Sequence, residues 1–223
     1  MKELVHIHIP RTAGSSLNRI LAPVCERAEI SMKRGHNFWG DFEPAPGRVF
    51  FVTFREPIER VRSILSFIQS NPTHRAHQRL MAAGVDAYLD DHERAFDMIA
   101  DGQTRQLNKR RAEGYRITTE HLFNAFAVIR RPDVIACCDS AISSGLARIG
   151  EKLGITLPEQ APRTNTSPPL HLSTRAIDRI LELNPMDAML YRIVQIRHSS
   201  TPSTSRVQSQ VVGEYEPSVV YRA

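Results

Sequence analysis

Two apolar segments of this chain are each followed by a short polar loop and then by an amphipathic helix. The first segment, 4–9, is rich in β-branched residues and ends at Pro10, and the second, Arg48–Phe54, ends shortly before Pro57. Apolar residues then recur at helical spacing in both units, over 17–24 and over 58–68. Strand–loop–helix units that repeat in this way predict an α/β fold, in which a parallel sheet is flanked by helices.

The rest of the chain extends this pattern within one predicted domain, 1–197. A polar stretch over 35–47 is expected to be a long surface connection, and the segment 73–114 is predicted to be helical with breaks at Gly84 and Gly102. Further helices are predicted over 118–125 and 139–153 and from Ser173 and Pro185 onward, and short strands over 126–129 and Val134–Cys138. Seven of the twelve residues in 198–209 are serine or threonine, so we predict a partly flexible tail over 198–223.

The composition excludes several classes of protein. With 223 residues, of which 41% are hydrophobic, the chain is long enough to bury a core and too apolar to be wholly disordered. Its apolar runs are all shorter than the roughly 20 residues of a transmembrane helix, and the start MKELVHIHIP lacks the layout of a signal peptide. The three cysteines provide no disulfide framework, so we expect a cytoplasmic protein.

The 29 basic residues give a net charge of +5, and four of them are lysine while the rest are arginine. Arginine binds phosphate or sulfate through a planar fork, which suits an anionic ligand, although a general compositional bias explains the excess better. The longest basic block is the three residues at 109–111, so we expect no nucleic-acid partner.

The loop after the first strand has the composition of an anion-binding loop. Arg11 supplies positive charge, and Thr12, Ser15 and Ser16 supply hydroxyl groups beside Gly14. Backbone N–H groups and the positive end of the helix dipole point to the same place when such a loop joins a strand to a helix. We expect Ser15 or Ser16 to cap that helix. The loop is P-loop-like, but it lacks the first glycine and the following lysine of the motif G-x-x-x-x-G-K-[ST], and a plain strand-to-helix turn with a capping serine is the alternative.

The second loop carries Arg55 directly after the strand and Ser63 about two turns into the next helix. Because ligands of open α/β sheets collect at the carboxyl ends of the strands, both side chains can face one cleft with the first loop. Two separated anion sites suit a nucleotide that carries phosphate at both ends of its ribose, whereas a triphosphate needs a single cradle.

Both loops resemble motifs of the sulfotransferase family. The segment IHIPRTAGSSL is similar to the loop that binds the 5′-phosphosulfate, I-P-K-T-[AG]-G-[ST]-[ST]-L, and FREPIERVRS is similar to the 3′-phosphate loop, R-[DE]-P-x-x-R-x-x-S. Three further segments resemble the branch that includes the uronyl and heparan sulfate 2-O-sulfotransferases and bacterial relatives, namely Gly35-His36, the run 103–107, and the stretch from Asn165 to Tyr191. The resemblance covers about residues 4–196.

The resemblance implies a sulfotransferase fold and a reaction in which a sulfuryl group passes from 3′-phosphoadenosine-5′-phosphosulfate to an acceptor hydroxyl, with adenosine 3′,5′-bisphosphate as the product. It implies that the 5′-phosphosulfate is held by Thr12, Ala13, Gly14, Ser15 and Ser16. It implies that the 3′-phosphate is held by Arg55 and Ser63. Arginine and backbone dipoles can neutralise the charge on the leaving phosphate, so we expect no metal.

Two residues are candidates for catalysis by this resemblance. Arg11 stands where the family has a lysine that stabilises the bridging oxygen. It retains the charge but cannot act as an acid at ordinary pH, so that retained activity and lost catalysis are both open. His36 falls at the family's base-bearing position and is the candidate general base, since histidine titrates near neutral pH. Asp41 or Glu43 can take this role if His36 points away.

Three functions stay open on the sequence. The first is an active sulfotransferase whose acceptor is a hydroxylated small molecule or a saccharide. The second is a small-molecule kinase that uses the first loop for ATP, although the lysine and a magnesium-binding aspartate are not evident, and the third is a non-catalytic nucleotide-binding relative. Acceptor contacts are expected within 38–47 and 73–114. The basic residues there suit an acidic sugar or form a solvated helix face, and they are Arg75, Arg79, Lys109, Arg110 and Arg111. In the late loop, Arg163 and Thr166 are candidates for the 3′-phosphate.

Overall fold

The centre of the structure is a parallel sheet. Its strands are β1 (Glu3–Ile7), β2 (Ser31–Lys33), β3 (Arg48–Phe54) and β4 (Val134–Cys138), in the order β2-β1-β3-β4. β1 pairs in parallel with both β2 and β3, so that Val5 lies opposite Lys33 on one side and Phe50 on the other. The sheet confirms the predicted α/β class, and it places the carboxyl ends of its strands at one edge.

The computed structural model of the protein describes residues 1–91, 99–109, 116–159, 168 and 170–199. In these ranges the helices are α1 (Gly14–Arg27), α2 (Pro57–Gln69), α3 (His77–Asp90), α4 (Gly102–Gln106), α5 (Thr119–Ile129), α6 (Ile142–Leu153), α7 (Thr174–Leu183) and α8 (Pro185–Ser199). Short 3₁₀ turns cover Trp39–Asp41 and Asp139–Ala141. Of the helices in these ranges, none combines the length and the apolar character needed to span a bilayer.

Helices cover both faces of the sheet, which explains why its longer strands are nearly continuous apolar runs. On one face, Val5, Phe50 and Val52 pack with residues of α5 and α8. On the other face, Leu4 and Phe51 pack with residues of α1 and α6. A third cluster joins α2, α3 and α7.

Several helix boundaries follow the signals in the sequence. Pro57 is the first residue of α2, and the Glu56 side chain accepts a hydrogen bond from Glu59 N at 2.8 Å. Ser173 caps α7, as predicted, by accepting from Ala176 N at 2.9 Å. These caps fix where the two helices begin.

Two predictions of strands differ from the structure. Residues 126–129 belong to α5 and not to a strand, because Leu122, Ala125 and Val128 form one buried face at helical spacing. The edge strand β2 lies in a segment for which the sequence predicts no strand, since its three residues include no run of apolar side chains. Both differences concern short segments whose conformation depends on their neighbours in the fold.

The helical segment after α2 is broken at a glycine, as predicted. α3 changes direction at Gly84, which has a φ of +75°. Gly102, by contrast, begins α4 instead of interrupting a helix. The predicted tail from residue 200 onward lies outside the described residues, as do 92–98 and 110–115.

Candidate functional site

Three loops meet at the edge of the sheet where the strands end. The loop after β1 holds Arg11, the loop after β2 holds His36, and the loop after β3 holds Arg55. Arg55 Nη1 lies 3.5 Å from the Arg11 carbonyl oxygen, and His36 Nδ1 lies 3.2 Å from the His8 carbonyl oxygen. Open α/β sheets bind their ligands at this edge, so we take it as the candidate site.

Thr12 fixes the backbone of the first loop. Its hydroxyl donates to the Ile9 carbonyl oxygen at 2.9 Å, and the Thr53 hydroxyl donates to the Thr12 carbonyl oxygen at 2.7 Å. The Thr12 side chain is fully buried. The sequence predicts that this hydroxyl donates to an anion. In the structure it donates into the protein, because Ile9 and Thr53 enclose it, and so it shapes the loop from inside.

α1 begins before the serines that were expected to cap it. Its N-cap residue is Ala13, which has a φ of +70° and no side-chain acceptor, and Ser15 and Ser16 lie in the first turn. The prediction that Ser15 or Ser16 caps the helix is therefore wrong, because the left-handed turn at Ala13 starts the helix earlier. Ser15 is exposed and Ser16 is buried. A helix whose N-cap residue has no acceptor relies on other acceptors for its first amides, and an anion is a common one.

Gly14 allows the loop to lie against an imidazole ring. A Cβ atom at Gly14 would come within 1.9 Å of His8 Cδ2, so a larger residue does not fit without movement. His8 is itself stacked on two other rings, and its centroid lies 5.3 Å from that of His6 and 4.6 Å from that of His36. We call these three residues the histidine stack.

The Arg11 side chain runs along α2. Its Nε donates to Ser63 Oγ at 3.0 Å, and its guanidinium lies 5.1 Å from the centroid of the Phe67 ring. Ser63 and Phe67 are one helical turn apart, which lets both contact the same arginine. The structure thus brings together Arg11 and Ser63, which come from different loop motifs.

Arg55 is the second guanidinium of the site. Besides the Arg11 carbonyl oxygen it has two acidic neighbours, since Nε is 3.5 Å from Asp139 Oδ2 and Nη2 is 3.8 Å from Glu59 Oε2. Burial and the positive charge of Arg55 lower the pKa of Arg11. The energy of the Arg11 guanidinium is thus raised by burial and by Arg55, and a bound anion would lower it.

One ring nitrogen of His36 is fixed by the backbone. A carbonyl oxygen can only accept, so His36 Nδ1 donates to the His8 carbonyl oxygen at 3.2 Å. Nε2 then has the lone pair that can take a proton. Asp41, an alternative base, accepts with Oδ2 from Phe38 N at 2.8 Å and so holds the turn after His36. Glu43, the other alternative, is exposed.

The two buried members of the histidine stack are neutral at pH 7. His6 is fully buried, and its Nδ1 lies 2.7 Å from Asn18 Oδ1. Burial lowers the pKa of His6 to about 4, and burial together with the nearby His6, His36 and Arg11 lowers the pKa of His8 to about 3. Within the described ranges, the His, Cys, Asp and Glu side chains form no group of three or more that could hold a metal ion.

Acidification is expected to destabilise the protein through the histidine stack. The folded-state pKa values of His6 and His8 lie below the ordinary value of 6.5, so the unfolded chain takes up protons first as the pH falls. This stabilisation is present above about pH 6.5 and is lost as the pH falls toward 4 and 3. Between pH 6.5 and pH 5, each histidine lowers the free energy of unfolding by up to about 2 kcal/mol, which urea denaturation measures.

A variant that lacks one histidine of the stack isolates this effect. His6→Gln removes one titrating group and keeps a donor for Asn18, so it is expected to show a weaker pH dependence, whereas the exposed His171→Gln should match the wild type. The same pH dependence in His6→Gln as in the wild type would contradict the assignment. Asp101 has the opposite effect on the pH dependence of stability, because burial raises its pKa to about 7. The wild type and both variants contain Asp101, so the comparison between them is unaffected.

The basic residues expected to contact an acceptor have other surroundings. Arg79 pairs with Asp91 at 2.6 Å, and Arg75 and Lys109 are exposed. Arg110 and Arg111 lie outside the described residues, as do Arg163 and Thr166, the candidates for the 3′-phosphate. The assignment of acceptor-binding residues therefore stays a prediction.

Two glutamines contact the site loops. Both lie in the run 103–107, whose resemblance to the family gives neither of them a role. Gln103 and Gln106 lie on α4 and hydrogen-bond to the backbone of Arg55 and Asn37, respectively. Gln103 is fully buried, as is Asp187, whose carboxylate accepts from Gln103 N at 3.0 Å. The sequence signal for these glutamines is a run of polar residues. Their spacing does not show which loops the two side chains contact.

The chain was compared with models of protein families and with curated proteins. No family model matches the chain, and no curated protein matches it. The class that the fold and the site define is an α/β protein with two guanidinium groups at the carboxyl edge of a parallel sheet.

Proposed function

We propose that the protein is a sulfotransferase, in fold and in activity, which moves a sulfuryl group from 3′-phosphoadenosine-5′-phosphosulfate to a hydroxyl group of a saccharide or another hydroxylated acceptor. The observation that carries this proposal is the contact between the two loops. Arg11 Nε donates to Ser63 Oγ at 3.0 Å, and Arg55 Nη1 lies 3.5 Å from the Arg11 carbonyl oxygen. The similarity of both loops to sulfotransferase motifs supports the same donor, and the cysteine usage supports a cytoplasmic location.

The residues present fit a nucleotide with phosphate at both ends of its ribose. Arg55 and Ser63 would hold the 3′-phosphate, and residues 12–16 would hold the 5′-phosphosulfate at the N-terminus of α1. The lowered pKa of Arg11, which burial and Arg55 cause, reflects positive charge that a bound anion would neutralise. A single triphosphate would not need two guanidinium groups on separate loops.

Each reacting group has a residue assigned to it in this proposal. When bound, the donor supplies the sulfuryl group, whose bond to the phosphate oxygen breaks as a new bond forms in line with it to the acceptor oxygen. Arg11 supplies the positive charge that stabilises the leaving phosphate, and its Nε donates to Ser63 Oγ. His36 Nε2 takes the acceptor proton, because the Nδ1 proton is directed to the His8 carbonyl oxygen.

Ligand preference tests the class of donor. Thermal-shift and calorimetric titrations are expected to show tighter binding of adenosine 3′,5′-bisphosphate than of ATP. A preference for ATP would overturn the proposal in favour of a small-molecule kinase. Transfer of labelled sulfate to a panel of saccharides and other hydroxylated acceptors tests turnover. Bisphosphate binding without transfer would indicate a non-catalytic relative.

Arg55→Ala is expected to weaken binding of adenosine 3′,5′-bisphosphate by roughly 10- to 100-fold. A hydrogen bond between charged partners contributes about 1.5–3 kcal/mol, and the substitution removes its donor. Isothermal titration calorimetry measures the change. Arg27→Ala is the control, because Arg27 is exposed in the last turn of α1, at the far end of that helix from the first loop. Unchanged affinity in Arg55→Ala would remove Arg55 from the site.

A further inference from the structure

We propose that α4 is the positioning element of the site: it holds the Arg55 loop through Gln103 and the His36 loop through Gln106, and so sets the distance between the anion-binding arginine and the candidate base. This inference rests on the proposed function and deepens it. Gln103 and Gln106 are three residues apart on α4, which places them on one face of the helix. Each side chain reaches a different loop.

The Gln103 side chain hydrogen-bonds to both polar backbone groups of Arg55, the N–H and the carbonyl oxygen. Its Oε1 accepts from Arg55 N at 2.9 Å, and its Nε2 donates to the Arg55 carbonyl oxygen at 2.9 Å. The side chain is fully buried, so bulk water does not compete for these bonds. One amide therefore fixes both polar backbone groups of the residue that follows β3.

Gln106 holds the loop of the candidate base. Its Nε2 donates at 2.6 Å to the carbonyl oxygen of Asn37, the residue directly after His36. The His36 ring is held separately, by the bond from Nδ1 to the His8 carbonyl oxygen at 3.2 Å. The orientation of His36 thus depends on two hydrogen bonds, one from its own ring and one to the carbonyl oxygen of the next residue.

Reciprocal caps fix α4 within the protein. Asp187, in the first turn of α8, accepts from Gln103 N at 3.0 Å and from Thr104 N at 2.7 Å. Asp101, immediately before α4, accepts in return from Met186 N and Asp187 N, both at 2.9 Å. Each aspartate caps the helix of the other, so the two helices cannot separate without leaving buried polar groups unpaired.

A buried arginine adds to these caps, and we call the caps and this arginine together the anchor of α4. Arg60 of α2 lies 3.6 Å from the Asp187 carboxylate and donates to the Ile99 carbonyl oxygen at 2.9 Å. A Cβ atom at Gly102 would come within 2.8 Å of Arg60 Nη2, so α4 begins directly against the guanidinium. Because α2 also carries Ser63, the anchor joins α4 to the anion-binding part of the site.

The two glutamines are expected to have separable effects. Loss of the Gln103 amide releases the Arg55 loop and weakens nucleotide binding. Loss of the Gln106 amide releases the His36 loop and slows turnover. A merely structural role would instead change both quantities in both variants.

Hydrogen–deuterium exchange tests the positioning without reference to activity. In Gln103→Met, exchange is expected to rise in peptides that cover Arg55 and to stay unchanged in those that cover His36, and in Gln106→Met the reverse is expected. Gln78→Met is the matched control, since Gln78 is exposed on α3. Exchange that rises in both regions or in neither would overturn the proposal. If Gln103→Met does not fold, Gln103→Asn serves instead, because its amide is one methylene shorter and cannot make both hydrogen bonds to the Arg55 backbone.

Binding and kinetics test the consequence for the reaction. Gln103→Met is expected to raise the dissociation constant of adenosine 3′,5′-bisphosphate about tenfold, and Gln106→Met to lower kcat about tenfold at an unchanged dissociation constant. These changes are on the scale of one or two lost hydrogen bonds. Equal effects of the two variants on both quantities would overturn the proposal. If the wild type does not bind the bisphosphate, the proposed function fails, and the exchange comparison still decides whether α4 positions the two loops.

Discussion

His36→Ala is expected to slow sulfuryl transfer by about 100-fold or more and to leave the affinity for adenosine 3′,5′-bisphosphate unchanged, because a positioned general base contributes about 10²–10⁴-fold to turnover and takes no part in binding the nucleotide. The ring geometry supports this role. Nδ1 donates to the His8 carbonyl oxygen at 3.2 Å, which directs the proton-accepting lone pair to Nε2. Steady-state kinetics at saturating donor measure kcat, and calorimetry measures the affinity.

His36→Asn separates proton transfer from the structure of the loop. The asparagine amide can still donate a hydrogen bond, but it cannot take up a proton. We therefore expect the same loss of turnover as in His36→Ala. Near-normal turnover in either variant would reassign the base, and Asp41→Asn and Glu43→Gln would then be the variants to compare.

Arg11→Ala is expected to lower kcat by about 100- to 1000-fold, which is the usual effect of removing one charge-stabilising donor from an active site. Arg11 is well placed for this role, because its Nε donates to Ser63 at 3.0 Å and its guanidinium lies over the Phe67 ring. These two contacts hold the side chain against α2. Arg27→Ala, on the exposed far end of α1, is the control and should retain wild-type turnover.

Arg11→Lys tests whether an arginine at this position retains catalysis or marks its loss. It restores the positive charge and matches the family pattern, but a compact ammonium group cannot donate from Nε and also stack a plane on Phe67. We therefore expect turnover between those of the wild type and Arg11→Ala. Wild-type turnover in Arg11→Ala would exclude a role for Arg11. Transfer that occurs in Arg11→Lys and not in the wild type would identify the natural protein as a non-catalytic relative.

The framework of the fold could be predicted from the sequence because it depends on local properties. The predicted bounds of β3 and β4 agree with the structure, since a strand that is buried on both faces is a continuous apolar run. β2 has only three partly buried or exposed residues at the edge of the sheet, and so it carries no such signal. The run 126–129 is apolar in either conformation, and its place in α5 depends on Leu122 and Ala125, which precede it.

The candidate site could be predicted only in part. The proximity of Arg11 and Ser63 follows from topology, because parallel strands end at one edge of a sheet. The function of α4 does not follow, since Gln103 and Asp187 are 84 residues apart and no local pattern connects them. The direction of the Thr12 hydroxyl does not follow either, because it depends on the fold of the loop back onto Ile9 and on the distant Thr53.

The backbone of the first loop has a consequence for how the protein can evolve. Arg11 has a φ of +68° and Ala13 a φ of +70°, and a non-glycine residue in this region is strained by about 1–2 kcal/mol. Glycine would relieve the strain at either position, but at Arg11 it would also remove one of the two guanidinium groups of the site. Stability and function therefore have opposite requirements at Arg11 and not at Ala13. Selection for thermal stability alone can replace Ala13 at little cost, whereas the same change at Arg11 would also remove its contacts to Ser63 and Phe67 and one of the two guanidinium groups of the proposed anion site.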